Sequence, residues 1–132
     1  MTADIKTTLI ENAKAACQKS YAPYSRFHAG SAVLMEAGHI YQGCNVENVS
    51  YGLAICAERN ATFQAVAAEG ENMRFKAVAV ATRHDEECTP CGACRQAIAE
   101  FGTEVMILHK KAVGEWGESS IKSMLPSNFQ MA

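Results

Sequence analysis

Cys91-Gly-Ala-Cys94 is the group in this sequence best placed to do chemistry: two thiols three residues apart, preceded by Pro90, where a helix would begin. That spacing lets both sulfurs reach one ion while the free N–H groups of a helix start stabilise the thiolate charge. Three chemistries compete for it. A thioredoxin-type redox pair wants a preceding strand and an isolated pair, and this one has rivals in Cys88 and Cys56. Cys88-x-x-Cys91-x-x-Cys94 would open an iron–sulfur run, but the fourth cysteine of such a run, followed by proline, is missing. The third is a metal centre, either catalytic and open or structural and closed, the latter with His84 or Cys88 as fourth ligand. A second group, Cys56-Ala-Glu58, also stands where a helix should begin, after Gly52 to Ile55. Alone it reads as a small buried thiol beside a solvated glutamate.

These groups can meet only if the chain brings two helix starts together. Thr2 to Lys19 carries Ile5, Leu9, Ile10, Ala13, Ala16 and Cys17 at mostly three- and four-residue steps, an amphipathic helix covering a sheet. Pro23 breaks the pattern, after which Ala29 to Met35 and His39 to Asn45 predict a hairpin turning at Ala37-Gly38. A helical period returns from about Ile55 and stops at Gly70. Phe75 to Thr82 is apolar without alternation, as in a central strand covered on both faces. Cys91 to Phe101 predicts a helix closed by Gly102, and Glu104 to His109 a further strand. Lys110 to Gly117 reads as a polar turn, Ser119 to Leu125 as a short helix ended by Pro126, and Ser127 to Ala132 as a tail. The order predicts an α/β fold: a three-layer α/β/α sandwich with a mixed central sheet, antiparallel at its start and parallel where helices cross over. Two such crossovers would set their helix starts side by side at one sheet edge, where open α/β sheets bind ligands.

A length of 132 residues, without linker or repeat, suits one domain spanning 1–132. With 48% hydrophobic and 20% charged residues the chain can build a core without staples, so disorder is unexpected. A net charge of −2 with no Lys/Arg block argues against polynucleotide binding. Its longest apolar runs are five residues, far short of the ~20 that span a bilayer, so no membrane segment is expected. The first thirty residues hold no signal-like apolar stretch, which predicts a cytoplasmic protein with reduced cysteines.

Taken together, a helix opening Cys-x-Glu, a covered strand and a helix opening Pro-Cys-x-x-Cys are similar to the zinc deaminase signature. In that arrangement three thiolates fill three corners of a tetrahedron, the open corner takes water, and Glu58, not itself a ligand, can accept the water's proton and pass it on. Three thiolates on a doubly charged ion leave a net charge of −1. Arg59 and Arg95 are therefore candidates to hydrogen-bond sulfur and restore positive character, aided by the helix dipoles.

Tyr21-Ala-Pro-Tyr-Ser-x-Phe27, Gly43-Cys-Asn-Val-Glu-Asn48, Ser50-Tyr-Gly-Leu53, Ile55-Cys-Ala-Glu-Arg-Asn-Ala61 and Pro90-Cys-Gly-Ala-Cys-Arg-Gln96 make almost the whole chain resemble the small homotetrameric zinc-dependent cytidine deaminases. The resemblance implies hydrolytic deamination of cytidine and 2′-deoxycytidine in pyrimidine salvage, with one Zn²⁺ per chain held by Cys56, Cys91 and Cys94, and proton transfer by Glu58. It further implies that Asn45 and Glu47 bind the ribose 3′-hydroxyl, that Phe27 packs on the pyrimidine and that the Ala57 backbone contacts the base. Tyr51 and Phe129 match positions that reach a neighbouring subunit's site, so shared sites in a homotetramer are expected. By residue type alone, Asn and Glu at i and i+2 of a strand end suit either a sugar hydroxyl or a loop cap, and a tail phenylalanine usually packs on its own domain or faces solvent. Four departures stand out: Ala29 where the family carries valine, Thr89 where it carries serine, Asn128 in place of a small residue, and Cys88, which is outside the family pattern. They leave room for a modified cytosine, a free base or a nucleoside antibiotic of the blasticidin type as substrate. A non-catalytic structural-zinc module is the alternative from another class, but it gives Glu58, Asn45 and Glu47 no purpose.

Overall fold

The computed structural model describes residues 1–112 and 114–131; the expectations placed on Val113 and Ala132 lie outside the described residues. Helix α1 (Ala3–Cys17) is capped by the Thr2 hydroxyl, which accepts from the Ile5 N–H, and it buries Leu9, Ala13, Ala16 and Cys17. Strands β1 (Ala29–Met35) and β2 (Ile40–Cys44) form the hairpin, with Gly38 in the left-handed region at φ 102°. Helix α2 (Ala57–Glu69) ends at Gly70, whose φ of 84° suits glycine. Strand β3 (Phe75–Thr82), helix α3 (Gly92–Ala99) and strand β4 (Met106–Lys110) follow. The chain closes with strand β5 (Trp116–Ser120) and helix α4 (Ile121–Met124).

The sheet order is β2-β1-β3-β4-β5. Strand β1 is antiparallel to both β2 and β3, so those two run parallel, and α2 crosses over β1 between them. Strands β3 and β4 are parallel, joined by α3, and β4 is antiparallel to β5. Alternate residues of β3 serve the two faces. Ala77, Ala79 and Ala81 meet Leu9, Ala13 and Cys17 of α1, while Val78 joins Ala61 and Ala65 of α2, Ile98 of α3 and Ile121 of α4. The three-layer α/β/α expectation therefore holds. Small residues on the α1 face let that helix lie close. At Gly30 a Cβ would stand 2.2 Å from the Ala13 carbonyl oxygen, and at Gly43 one would stand 2.2 Å from the Ala61 nitrogen. Glycine at 43 thus allows α2 to press onto the end of β2, which brings its N-terminus to the sheet edge.

One expectation fails. Lys110 to Gly117 is not a single polar turn: Lys110 ends β4, and Trp116 and Gly117 begin β5. Strand β5 reads Trp-Gly-Glu-Ser-Ser and sits at the sheet edge, so it carries no apolar alternation by which sequence could reveal it. Its partner decides its conformation, through pairs from Met106 with Ser120 to Lys110 with Trp116. The final helix is correspondingly shorter than expected, because Ser119 and Ser120 belong to β5. Among the described residues no helix is long and apolar enough to cross a membrane.

Candidate metal centre

Helices α2 and α3 each follow a strand whose C-terminal end points to the same edge, and each begins with a cysteine in the N-cap position. Cys56 caps α2 and Cys91 caps α3, both with extended backbone, and neither side chain is used as a cap acceptor. A serine or aspartate at these positions would turn its oxygen back onto the helix. Here both sulfurs are left facing outward from the helix ends, and Cys94 lies one turn further along α3, fully buried.

The sulfurs of Cys56, Cys91 and Cys94 lie within 4.8 Å of one another, and those of Cys56 and Cys91 are 3.9 Å apart. Tetrahedral zinc with Zn–S near 2.3 Å would place its sulfurs about 3.8 Å apart, so the three thiols fit that ion with small adjustments. Among the described residues this is the group of His, Cys, Asp and Glu side chains able to hold a metal, and it includes neither Cys88 nor His84. A closed four-ligand structural site with either residue, and an iron–sulfur run through Cys88, are both without support in this geometry.

Electrostatics follow from the same contacts. As a free thiol Cys56 ionises early, lowered to about 5 by a hydrogen bond from the Cys94 thiol and by the guanidinium of Arg59. That hydrogen bond and burial hold Cys94 protonated. Arg59 Nη2 lies 3.7 Å from the Cys56 sulfur, as its place one turn further along α2 predicts. Arg95 is placed differently. Its Nε donates to the Pro90 carbonyl at 2.7 Å and its Nη1 to the Met124 carbonyl at 2.9 Å, with Nη2 3.4 Å from Thr89 Oγ1. It braces the turn before Cys91 instead of meeting sulfur.

A cavity of about 330 Å³ opens beside the thiols, lined by Phe27, Asn45, Ala57 and Glu58 with Cys56 and Cys91, and by Ala29, Glu87, Cys88 and Thr89 on its remaining walls. Glu58 is only 5% exposed, and burial pushes its carboxyl up to about 7. A carboxyl poised near neutrality can both take and give a proton. Cys88, by contrast, is pushed up to about 12, chiefly by burial, and stays a neutral thiol.

Asn45 and Glu47 flank Val46 just beyond β2, and both turn toward residues 24–29. Asn45 accepts from the Ala29 N–H through Oδ1 at 2.9 Å and donates to the Phe27 carbonyl through Nδ2 at 2.7 Å. Glu47 Oε1 accepts from the N–H groups of Tyr24 and Ser25 at 2.9 and 3.2 Å, while Oε2 accepts from the Ser25 hydroxyl. The Ser25 bond holds this carboxyl below the usual range. The loop-capping role is thus real, yet it leaves one N–H on Asn45 and one acceptor site on Glu47 Oε2. An alcohol, which accepts and donates, is the complement of that pair.

Glu47 lines a second cavity, of about 340 Å³, with Tyr24, Ser25, Asn48, Tyr51 and Ala54. Tyr51 is 79% exposed and meets Tyr24 edge to face with ring centroids 6.4 Å apart. Phe129 is 74% exposed; its backbone carbonyl accepts from Gln96 Nε2 at 3.2 Å. Glu87, Tyr24 and Ser25 were not singled out by the sequence. The first is one of several charges in a polar loop, and the roles of the others depend on a carboxylate 22 or 23 residues away.

The family described as "Cytidine and deoxycytidylate deaminase zinc-binding region" matches residues 4–110. A cytidine deaminase of Sporosarcina psychrophila is 43% identical over 123 residues, covering 92% of this chain and 88% of that protein. One from Halalkalibacterium halodurans is 40% identical over 122 residues, covering 92% and 91%. The crystal structure of a Burkholderia pseudomallei cytidine deaminase superposes with a TM-score of 0.87 at 43% identity, covering 98% of this chain and all (100%) of that one. Because the matched span runs from α1 to β4 and contains every thiol of the cluster together with Glu58, this chain belongs to the zinc-binding cytidine and deoxycytidylate deaminase family.

Proposed function

We propose that this chain, as one catalytic domain spanning residues 1–132, hydrolyses cytidine and 2′-deoxycytidine to uridine and 2′-deoxyuridine with release of ammonia. The observation that carries the reading is the buried Glu58 carboxyl in the wall of a cavity that also holds Cys56 and Cys91. Zinc held by Cys56, Cys91 and Cys94 supplies Lewis-acid activation of the attacking water. Glu58 takes one proton from that water and delivers it to N3 of the ring as the oxygen adds to C4. It then takes the remaining proton from the C4 hydroxyl and delivers it to the departing 4-amino group, which leaves as ammonia with the C4 carbonyl behind it. Phe27 packs on the pyrimidine, the Ala57 backbone meets the base, and the free N–H of Asn45 with the free lone pair of Glu47 holds a ribose hydroxyl. Ring position is thereby set before chemistry, and the buried carboxyl meets the proton it must move.

Exposed Val49, Tyr51 and Leu53, with Phe129, support assembly into a homotetramer in which Tyr51 and Phe129 complete neighbouring sites. A cytoplasmic role in pyrimidine salvage accords with a small nucleoside as substrate and with the free thiols. The reading is tested by zinc analysis together with absorbance loss and ammonia release on cytidine. One zinc per chain with turnover is expected; a zinc-loaded protein inert toward cytidine overturns the substrate. Since Ala29, Cys88 and Thr89 all line the cavity, the same assay is run with 5-substituted cytidines and blasticidin-type nucleosides, and preference for one of these would replace cytidine as the substrate.

A further inference from the structure

The C-terminal segment is tied at both ends to the residues that immediately follow Cys94. Arg95 Nη1 donates to the Met124 carbonyl at 2.9 Å, where α4 ends, and Gln96 Nε2 donates to the Phe129 carbonyl at 3.2 Å. Between these ties the backbone turns sharply: Ser127 has φ 54°, and Asn128 Nδ2 donates to the Leu125 carbonyl at 3.2 Å. A phenylalanine that is 74% exposed gains nothing from burial in its own domain, and yet its backbone is anchored.

We infer that Arg95 and Gln96 are positioning residues that clamp the segment 124–129 onto α3 and thereby fix where the Phe129 ring is presented. The inference rests on the reading above that Phe129 completes a neighbouring subunit's cavity. Helix α3 is the element common to both ties. Its first turn carries Cys91 and Cys94, its next residues hold the tail, and each subunit therefore offers its ring from a platform shared with its own thiol cluster. Arg95 also braces the Pro90 carbonyl, so its loss would disturb the approach to Cys91 as well. Gln96 touches the tail alone among these bonds and isolates the clamp. An untied tail samples many positions, and each binding event must then order it again.

The test is a double-mutant cycle on the intact, zinc-loaded enzyme, with Gln96→Met, Phe129→Ala and the pair, read as KM and kcat for cytidine. Gln96→Met keeps the side-chain length and removes the donor. It should raise KM about 5-fold, the worth of one ordinary hydrogen bond, with kcat within about twofold. Gln96→Lys, which restores a donor, should recover most of that loss. In the Phe129→Ala background Gln96→Met should add nothing, because there is no ring left to place. If Phe129→Ala impairs the enzyme but Gln96→Met is silent, or adds its full effect to the double variant, the clamp is wrong while the Phe129 reading stands. If Phe129→Ala leaves KM and kcat unchanged, the Phe129 reading itself is overturned and the clamp with it.

Discussion

Arg59 stands with Nη2 3.7 Å from the Cys56 sulfur, and its Nε is buried without a hydrogen-bond partner. Orphaning a buried guanidinium nitrogen costs free energy, so the head group is held there by its attraction to sulfur. The contact raises the hold on the guanidinium proton, chiefly through Cys56, so Arg59 remains a cation across the working range. Arg59→Gln should bind zinc and turn over more slowly, with its pH optimum moved upward. One cation fewer beside three thiolates makes the attacking water harder to deprotonate. A pH–rate profile with unchanged limbs would assign the compensation to the helix dipoles.

Glu58→Gln keeps shape and removes the proton acceptor. Fold and zinc content should persist while turnover falls by more than the ~10²- to 10⁴-fold usual for a general acid–base group, because one carboxylate serves several transfers. Zinc analysis and cytidine absorbance on the same preparation check both halves. Turnover near wild type would remove Glu58 from the chemistry.

Of the six thiols three converge, and Cys88, though only three residues before Cys91, is not among them. Cys56→Ser should lower both zinc content and activity, whereas Cys88→Ser should leave both nearly unchanged, since Cys88 is outside the three-sulfur group. Metal loss in the Cys88 variant alone would restore the structural-site reading.

Acid stability should depend on His109. This imidazole is 8% exposed, meets Ser119 Oγ at 3.1 Å through Nε2, and is lowered by burial, Lys111 and Arg95. The unfolded chain's histidine takes up its proton near pH 6.5, before the folded chain does. Stability is therefore complete above that pH and is lost as pH falls below it. His109→Gln should show a smaller drop in Tm between pH 7.5 and pH 5 than wild type; parallel curves would exclude the effect.

If Phe129 acts in trans, two inactive variants should complement each other. Deleting residues 129–132 and substituting Glu58→Gln each disable the enzyme for unrelated reasons. In co-refolded mixed oligomers a truncated chain with intact Glu58 can receive Phe129 from a Glu58→Gln neighbour, which restores a statistical fraction of sites. Verified mixed oligomers as inactive as their parents would place Phe129 in cis.

Local pattern was enough for β1 and β3, whose predicted limits match the structure, and for the helix starts at Cys56 and Cys91, because apolar runs and caps are properties of neighbouring residues. It was enough, too, to set Arg59 beside Cys56, since three residues along a helix means one face. Strand β5 was hidden because an edge strand of Trp, Gly, Glu and Ser is shaped by its ladder with β4, not by its own periodicity. Arg95 follows Cys94 in sequence, but its guanidinium is drawn to two carbonyls that only folding brings near, one of them 29 residues away. The meeting of Cys56 with Cys91 across 35 residues was likewise a tertiary outcome, set by parallel crossovers that bring two helix N-termini to one edge and by the close approach that Gly43 allows α2.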